Sequence, residues 1–151
     1  MQRIPSAEPQ PQCAPPSPQP DCVFGVVGVL ERDGRFLLIQ RSRYVRAPGM
    51  WCFAGGTIEP GESPADAVVR EFHEELGMTV SAGERLWTWL RDDGMLHLEW
   101  RRVHWAGGAL RLNPLEVCAL RWLLEAEIRA HPEMLANNVH FLDSLRASRH
   151  G

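Results

Sequence analysis

The chain contains no lysine, and all sixteen of its cationic residues are arginine. This absence excludes Schiff-base chemistry on a lysine and the NTPase type of phosphate-binding loop, which requires one. A phosphate clamp would have to be built from arginine, whose guanidinium group binds phosphate through two parallel hydrogen bonds. The formal net charge of −3 argues against a broad basic surface for a nucleic-acid polymer.

Long apolar runs are also absent. No segment reaches the roughly 18 apolar residues of a membrane span, and the first twenty residues lack the apolar core of a signal peptide. The four cysteines follow neither a zinc pattern nor a dense disulfide framework. We therefore expect a cytoplasmic protein with free thiols and no membrane partner.

Prolines are concentrated at the N-terminus, where seven of the twelve fall within the first twenty residues. Such a segment forms neither a helix interior nor a sheet ladder, so residues 1–21 are predicted to be a disordered or polyproline-like tail. The alternative is a proline-rich ligand for a partner domain. Residues 22–151 are long enough for a single domain with its own core.

Most of the remaining chain is predicted to form strands. "CVFGVVGVL" is a buried strand, "RDG" a turn and "RFLLIQRS" its hairpin partner. Further strands are predicted at the start of "WCFAGGTI", in "RLWTWLR", in "MLHLEWRRVHWAG" and in "VCALRWL". The segments "EAEIRAH" and "PEMLANNVHFLDSLRASR" are predicted to be helical.

One marked helix is predicted at residues 64–76. Ser63 suits the N-cap, Pro64 the first helical position and Gly77 the left-handed residue that ends a helix. At about 100° per residue, its apolar residues form one face and Glu71, Glu74 and Glu75 form a stripe beside it. Like charges at these spacings repel by roughly 0.2–0.5 kcal/mol per pair.

A divalent cation would relieve this repulsion. Mg²⁺ prefers oxygen ligands and is usually shared with substrate phosphates. The alternative is a solvated acidic face, but such a face usually mixes signs, and Arg70 is the only cation on this helix. The preceding segment "AGGTIEPGE" is predicted to be a glycine-rich loop in which backbone groups approach metal or phosphate.

From Gly56 to Met78 the sequence resembles the Nudix box, G-x5-E-x7-R-E-U-x-E-E-x-G-U, where U is aliphatic or aromatic, and it matches every fixed position. The residue before Gly55 departs from the family, which commonly has proline where this chain has Ala54. The resemblance implies an α/β fold, an α/β/α sandwich with a central mixed β-sheet. It also implies metal-dependent hydrolysis of a nucleoside diphosphate linked to another group.

The resemblance also implies roles for individual residues. Glu71, Glu74 and Glu75 would be metal ligands, with Mg²⁺ as the cofactor and Mn²⁺ as a possible substitute. Gly55 would offer its backbone carbonyl to the metal, Gly56 would contribute to substrate binding and Arg70 would orient the carboxylates. Glu62 would be either a structural acid or an acid in the outer shell around the metal. Glu71 is the preferred general base, with Glu116 and Glu99 as alternatives.

The substrate is expected to be a small nucleotide. The segment "LRDDGMLH" contains none of the markers of the ADP-ribose, dinucleoside polyphosphate or NADH groups, which favours the MutT-like group. That group acts on nucleoside triphosphates, including oxidised dGTP. The alternatives are an ADP-ribose or nucleotide-sugar pyrophosphatase, and a non-catalytic nucleotide-binding module. Asn137, in "ANNVHFLDSL", resembles a base-reading asparagine of MutT-like proteins; the alternative is a helix N-cap.

Overall fold

A computed structural model describes residues 18–149 of the chain. Its elements, in chain order, are β1 (Val23–Val29), β2 (Glu31–Arg32), β3 (Arg35–Arg41), β4 (Trp51–Cys52), β5 (Gly55–Thr57), α1 (Pro64–Leu76), β6 (Thr79–Leu90), β7 (Leu96–Gly107), β8 (Val117–Leu123), α2 (Glu125–Ala130) and α3 (Ala136–Arg149). The proposed tail lies mostly outside the described residues. Within them, the backbone N–H of Gln19 donates to the carbonyl of Gly94 at 2.9 Å.

The strands form two hydrogen-bonded groups. One has the order β5-β1-β7-β6 and is mixed, because β1 and β7 run parallel while the other pairs are antiparallel. The other joins β2, β3 and β4, with β8 antiparallel to β3. Side chains alternate between the two faces of a strand, so both groups contribute to two apolar cores.

Helices cover both of these cores. On one side, Val68 and Phe72 of α1 pack with Val26 of β1. On the other, Phe141 of α3 packs with Trp100 of β7. Helices on either side of mixed β-structure confirm the predicted α/β/α sandwich. Within residues 18–149, no helix has both the length and the apolar character that a membrane crossing requires.

The predicted pairing of the first two long strands is wrong. The turn at Asp33 and Gly34 does form a hairpin, but it joins β3 only to the two-residue strand β2. Residues of β1 instead pair with β5 and, in parallel, with β7. A turn signal fixes only the few residues around it. Here only β2 pairs with β3 across the turn, whereas the apolar run before β2 forms β1 in the other group of strands.

Three further boundaries differ from the prediction. Strand β6 begins at Thr79 and not at Arg85. Gly55 and Gly56 lie in strand β5, opposite Val27 and Val26 of β1, and not in a loop. The last helix begins at Ala136 and not at Pro132. Residues 132 and 133 form a turn, and Met134 pairs with Trp51 in a parallel bridge. In that bridge Trp51 N–H donates to the Glu133 carbonyl and Leu135 N–H donates to the Trp51 carbonyl.

Candidate active site

Helix α1 has the predicted bounds and caps. The Ser63 hydroxyl accepts a hydrogen bond from the Asp66 N–H at 3.1 Å, and Pro64 occupies the first position. Gly77 ends the helix with φ 69°, a left-handed conformation that glycine adopts without a Cβ penalty. The helix is thereby held at both ends, which fixes the direction of its acidic side chains.

Two of the three helix glutamates are buried, and the third is exposed. Glu71 is 8% exposed and Glu75 6%, whereas the side chain of Glu74 is 52% exposed. The structure brings Glu71 and Glu75 together with Glu116, which precedes β8, so that one carboxylate oxygen of each lies within 4.8 Å of the others. Glu74 is not part of this three-carboxylate cluster.

The cluster brings three carboxyl groups together, two of which are buried. Burial and the neighbouring Glu116 and Glu71 carboxylates raise the pKa of Glu75 to about 10. Burial also raises the pKa of Glu71, and the adjacent Arg70 opposes that rise. One oxygen of Glu75, Oε2, is buried without a hydrogen-bond partner among the described residues. A buried acceptor of this kind is costly unless a ligand completes it.

Arg70 connects the cluster to the strand before the helix. Its guanidinium donates to Glu71 Oε1 at 2.8 Å, to Glu74 Oε2 at 3.1 Å and to the Thr57 carbonyl at 2.9 Å. It also makes a two-pronged ion pair with Glu62, at 2.8 and 3.0 Å, which holds the pKa of Glu62 below its ordinary value. Arg70 therefore contacts Glu71 and three other acceptor groups, on Thr57, Glu62 and Glu74.

Strand β5 lies directly against the cluster. A Cβ added at Gly56 would overlap the carboxyl group of Glu71, and a Cβ added at Gly55 would overlap the backbone of Val26 and Val27. Glycine at position 56 therefore leaves the space that the Glu71 carboxylate occupies. Glycine at position 55 allows β5 to approach β1.

The residues present fit a divalent cation. Three carboxylates with oxygens close together form a hard oxygen donor set, which Mg²⁺ and Mn²⁺ prefer. The unpartnered Oε2 of Glu75 points to the same conclusion, because a cation would satisfy it. Glu71, Glu75 and Glu116 are the residues that would hold the ion.

Other predicted residues are not members of the three-carboxylate cluster. Glu99 is buried on β7, where it accepts a hydrogen bond from Arg101 at 2.9 Å. Asn137 is the second residue of α3 and so is not its N-cap; its Oδ1 is buried with no partner among residues 18–149. No sequence signal predicted a role for Asn138, which is 2% exposed and directs Nδ2 towards the Trp51 carbonyl at 3.5 Å.

Comparisons with known proteins identify the family. The model of the NUDIX domain matches residues 20–145. The chain is 35% identical over 126 residues to the CTP pyrophosphohydrolase of Escherichia coli K12, covering 82% of this chain and 91% of the relative. It is 34% identical over 106 residues to the putative 8-oxo-dGTP diphosphatase 2 of Mycobacterium tuberculosis, covering 68% and 74%.

A solved structure agrees in fold. The crystal structure of the MutT protein from Methanosarcina mazei Go1 superposes with a TM-score of 0.76 at 21% identity, covering 91% of this chain and all of that one. The chain therefore belongs to the Nudix family, as a MutT-like hydrolase that cleaves phosphoric anhydrides of nucleotide-like substrates.

Proposed function

We propose that this enzyme hydrolyses a nucleoside triphosphate to the nucleoside monophosphate and pyrophosphate, with Mg²⁺ as its metal and Mn²⁺ as a substitute. The observation that carries the proposal is the cluster of Glu71, Glu75 and Glu116, in which Glu71 and Glu75 are buried and one Glu75 oxygen has no hydrogen-bond partner among the described residues. The names of two relatives refer to triphosphates, one with cytosine and one with oxidised guanine. These two bases are therefore the first candidates.

The proposed reaction is attack of water on one phosphorus atom of the triphosphate. A new P–O bond forms, the bridging P–O bond to the leaving group breaks, and a proton of the water passes to a carboxylate. When bound, a divalent cation neutralises phosphate oxygens and lowers the pKa of the attacking water. Glu71 remains our proposed base, and Glu116 is the alternative, because the structure brings both to one place.

Arg70 is proposed to orient the carboxylates rather than to contact substrate. Its hydrogen bond to Glu71 Oε1 fixes that carboxylate, and its ion pair with Glu62 fixes Arg70 itself. Glu74 is proposed as a further metal ligand outside the three-carboxylate cluster. Its hydrogen bond from Arg70 holds its carboxylate near the cluster. The backbone of Gly55 and Gly56 in β5 is proposed to face the metal and the phosphates.

Asn137 is proposed to read the base. Its buried, unpartnered Oδ1 supports a role with a ligand, since an amide both accepts and donates on a base edge. We expect Asn137→Ala to raise KM for the preferred triphosphate and to flatten the preference among bases. Asn138→Ala is the matched comparison, because that amide already faces the Trp51 carbonyl. A flattened preference in Asn138→Ala alone would transfer the role to Asn138.

The substrate is tested with a panel of CTP, dCTP, dGTP, 8-oxo-dGTP and ADP-ribose, each with Mg²⁺ and with Mn²⁺. We expect a nucleoside monophosphate and pyrophosphate from at least one triphosphate. A higher kcat/KM on ADP-ribose, with ribose phosphate as product, would replace the proposal with a nucleotide-sugar type of pyrophosphatase. Binding without turnover on the whole panel would favour the non-catalytic alternative.

A further inference from the structure

Glu116 is the one member of the three-carboxylate cluster that does not belong to α1. It lies in the segment between β7 and β8, one residue before β8 begins. Glu71 and Glu75 are held in register by the helix itself, being four residues apart. The position of Glu116 relative to them must be set by contacts outside the helix.

Asn113 makes backbone hydrogen bonds to both sides of the cluster. Its N–H donates to the carbonyl of Glu75 at 2.8 Å, and its own carbonyl accepts from the N–H of Glu116 at 3.0 Å and of Val117 at 2.8 Å. Its side-chain Oδ1 accepts from the Leu115 N–H at 3.1 Å. Asn113 therefore begins the turn that ends at Glu116 and links this turn to the C-terminal part of α1.

Ser42 holds the same turn from the other side. It is 2% exposed; its N–H donates to the Glu116 carbonyl at 3.0 Å, and its hydroxyl donates to the Leu115 carbonyl at 2.7 Å. The hydroxyl also accepts from the Tyr44 N–H at 3.2 Å. Ser42 follows Arg41, where the pairing of β3 with β8 shifts its register. The Ser42 side chain therefore binds the segment before β8 next to the point where the hydrogen-bond register between β3 and β8 shifts.

We propose that Ser42 and Asn113 are positioning residues that hold Glu116 against α1 and thereby set the metal affinity of the three-carboxylate cluster. The inference rests on the proposed metal site and adds two residues that lie outside the Nudix box. Neither side chain is proposed to bind the metal directly. Each side chain bonds to the backbone of Leu115, the residue before Glu116, so its effect on metal affinity depends on the Glu116 carboxylate.

The experiment is a titration with Mn²⁺ alone, in the absence of nucleotide, followed by the electron paramagnetic resonance signal of free Mn²⁺. We expect Ser42→Ala and Asn113→Ala each to weaken Mn²⁺ binding by about 10-fold, the lower end for partners that orient metal ligands. Asn113→Ser keeps a short side-chain acceptor for the same turn and should recover part of the loss. Ile128→Val, in the core on the opposite side of the sheet, is the control for a general loss of stability.

A double-mutant cycle with Glu116→Gln separates positioning from a merely structural role. In the Glu116→Gln background, Ser42→Ala should lose its effect on Mn²⁺ affinity while still lowering the melting temperature. An equal loss of affinity in both backgrounds would overturn the inference, as would wild-type affinity in Ser42→Ala and Asn113→Ala. If Glu116→Gln alone leaves Mn²⁺ affinity unchanged, the proposed cluster itself fails. If Ser42→Ala does not fold, the same double-mutant cycle is measured with Asn113→Ala in its place.

Discussion

Gly55 and Gly56 are neighbours in β5, but a side chain at each would meet a different part of the molecule. At Gly56 it would meet the end of the Glu71 side chain, which can move. We expect Gly56→Ala to fold and to displace the Glu71 carboxylate. Because small misplacements of reacting groups are costly, kcat/KM at fixed Mg²⁺ should fall on the order of 10²-fold.

The matched variant is Gly55→Ala, whose Cβ would meet the backbone of β1. Backbone cannot turn aside as a side chain does, so we expect a loss of about 1–3 kcal/mol in the free energy of unfolding. Denaturant titration and steady-state kinetics on both variants distinguish the two effects. A stable, fully active Gly56→Ala would contradict the placement of Glu71 against β5.

Arg70 faces four carboxylates, from Glu59, Glu62, Glu71 and Glu74. Its removal should release Glu71 and raise the Mg²⁺ concentration needed for half-maximal activity by about 10–100-fold. Arg129→Ala is a suitable control, because Arg129 also bridges two carboxylates, Glu125 and Asp143, away from the cluster. If Arg70→Ala fails to fold at all, Arg70 is a structural residue of the core and its orienting role is wrong.

At the scale of elements, the sequence predicted the features that depend on residues close together in the chain. The bounds of α1 follow from Ser63 and Gly77, and β8 follows from the apolar run at 117–123. The partners of β1 could not be predicted in this way. Its pairing with β7 is parallel and joins residues far apart in sequence, so no turn between them carries a signal.

The candidate site likewise contains residues that helical spacing predicted and one that it did not. Helical spacing places Glu71 and Glu75 on one side of α1, and both do enter the cluster. Glu116 belongs to a distant segment, and its place before a predicted strand made it only an alternative candidate for the general base. Glu74 lies on the acidic side of the same helix, yet its position around the helix axis leaves the side chain about half exposed. Burial depends on which segments pack against the helix, and spacing alone does not show this.

The N-cap residue Ser63 affects the stability of the whole helix α1. Ser63→Ala removes the acceptor for the Asp66 N–H and should lower the free energy of unfolding by about 1 kcal/mol. Well below the melting temperature kcat/KM should not change, because the cluster lies in the second half of the helix. Ser63→Asn, which also caps well, should restore stability. A large loss of activity in the folded Ser63→Ala variant would show that the cap influences the site.

At the scale of the whole molecule, the buried Glu75 makes stability depend on pH when no metal is bound. Its pKa in the folded state is about 10, well above the value of about 4.3 of an unperturbed glutamate. Between these two values the folded state binds more protons than the unfolded state, so the free energy of unfolding falls as pH rises. One such group contributes at most about 1.4 kcal/mol per pH unit.

Glu75→Gln removes this contribution, because an amide does not titrate. In metal-free buffer the variant should be more stable than the wild type, by a margin that grows from pH 5 to pH 8. With saturating Mg²⁺ the order should reverse, since a cation that binds only the folded state stabilises it, and the variant has lost one of the three carboxylates. Chemical denaturation at several pH values, with EDTA or with Mg²⁺, measures both effects. Parallel pH profiles for the two proteins in EDTA would show that Glu75 is not a destabilising group in the folded enzyme.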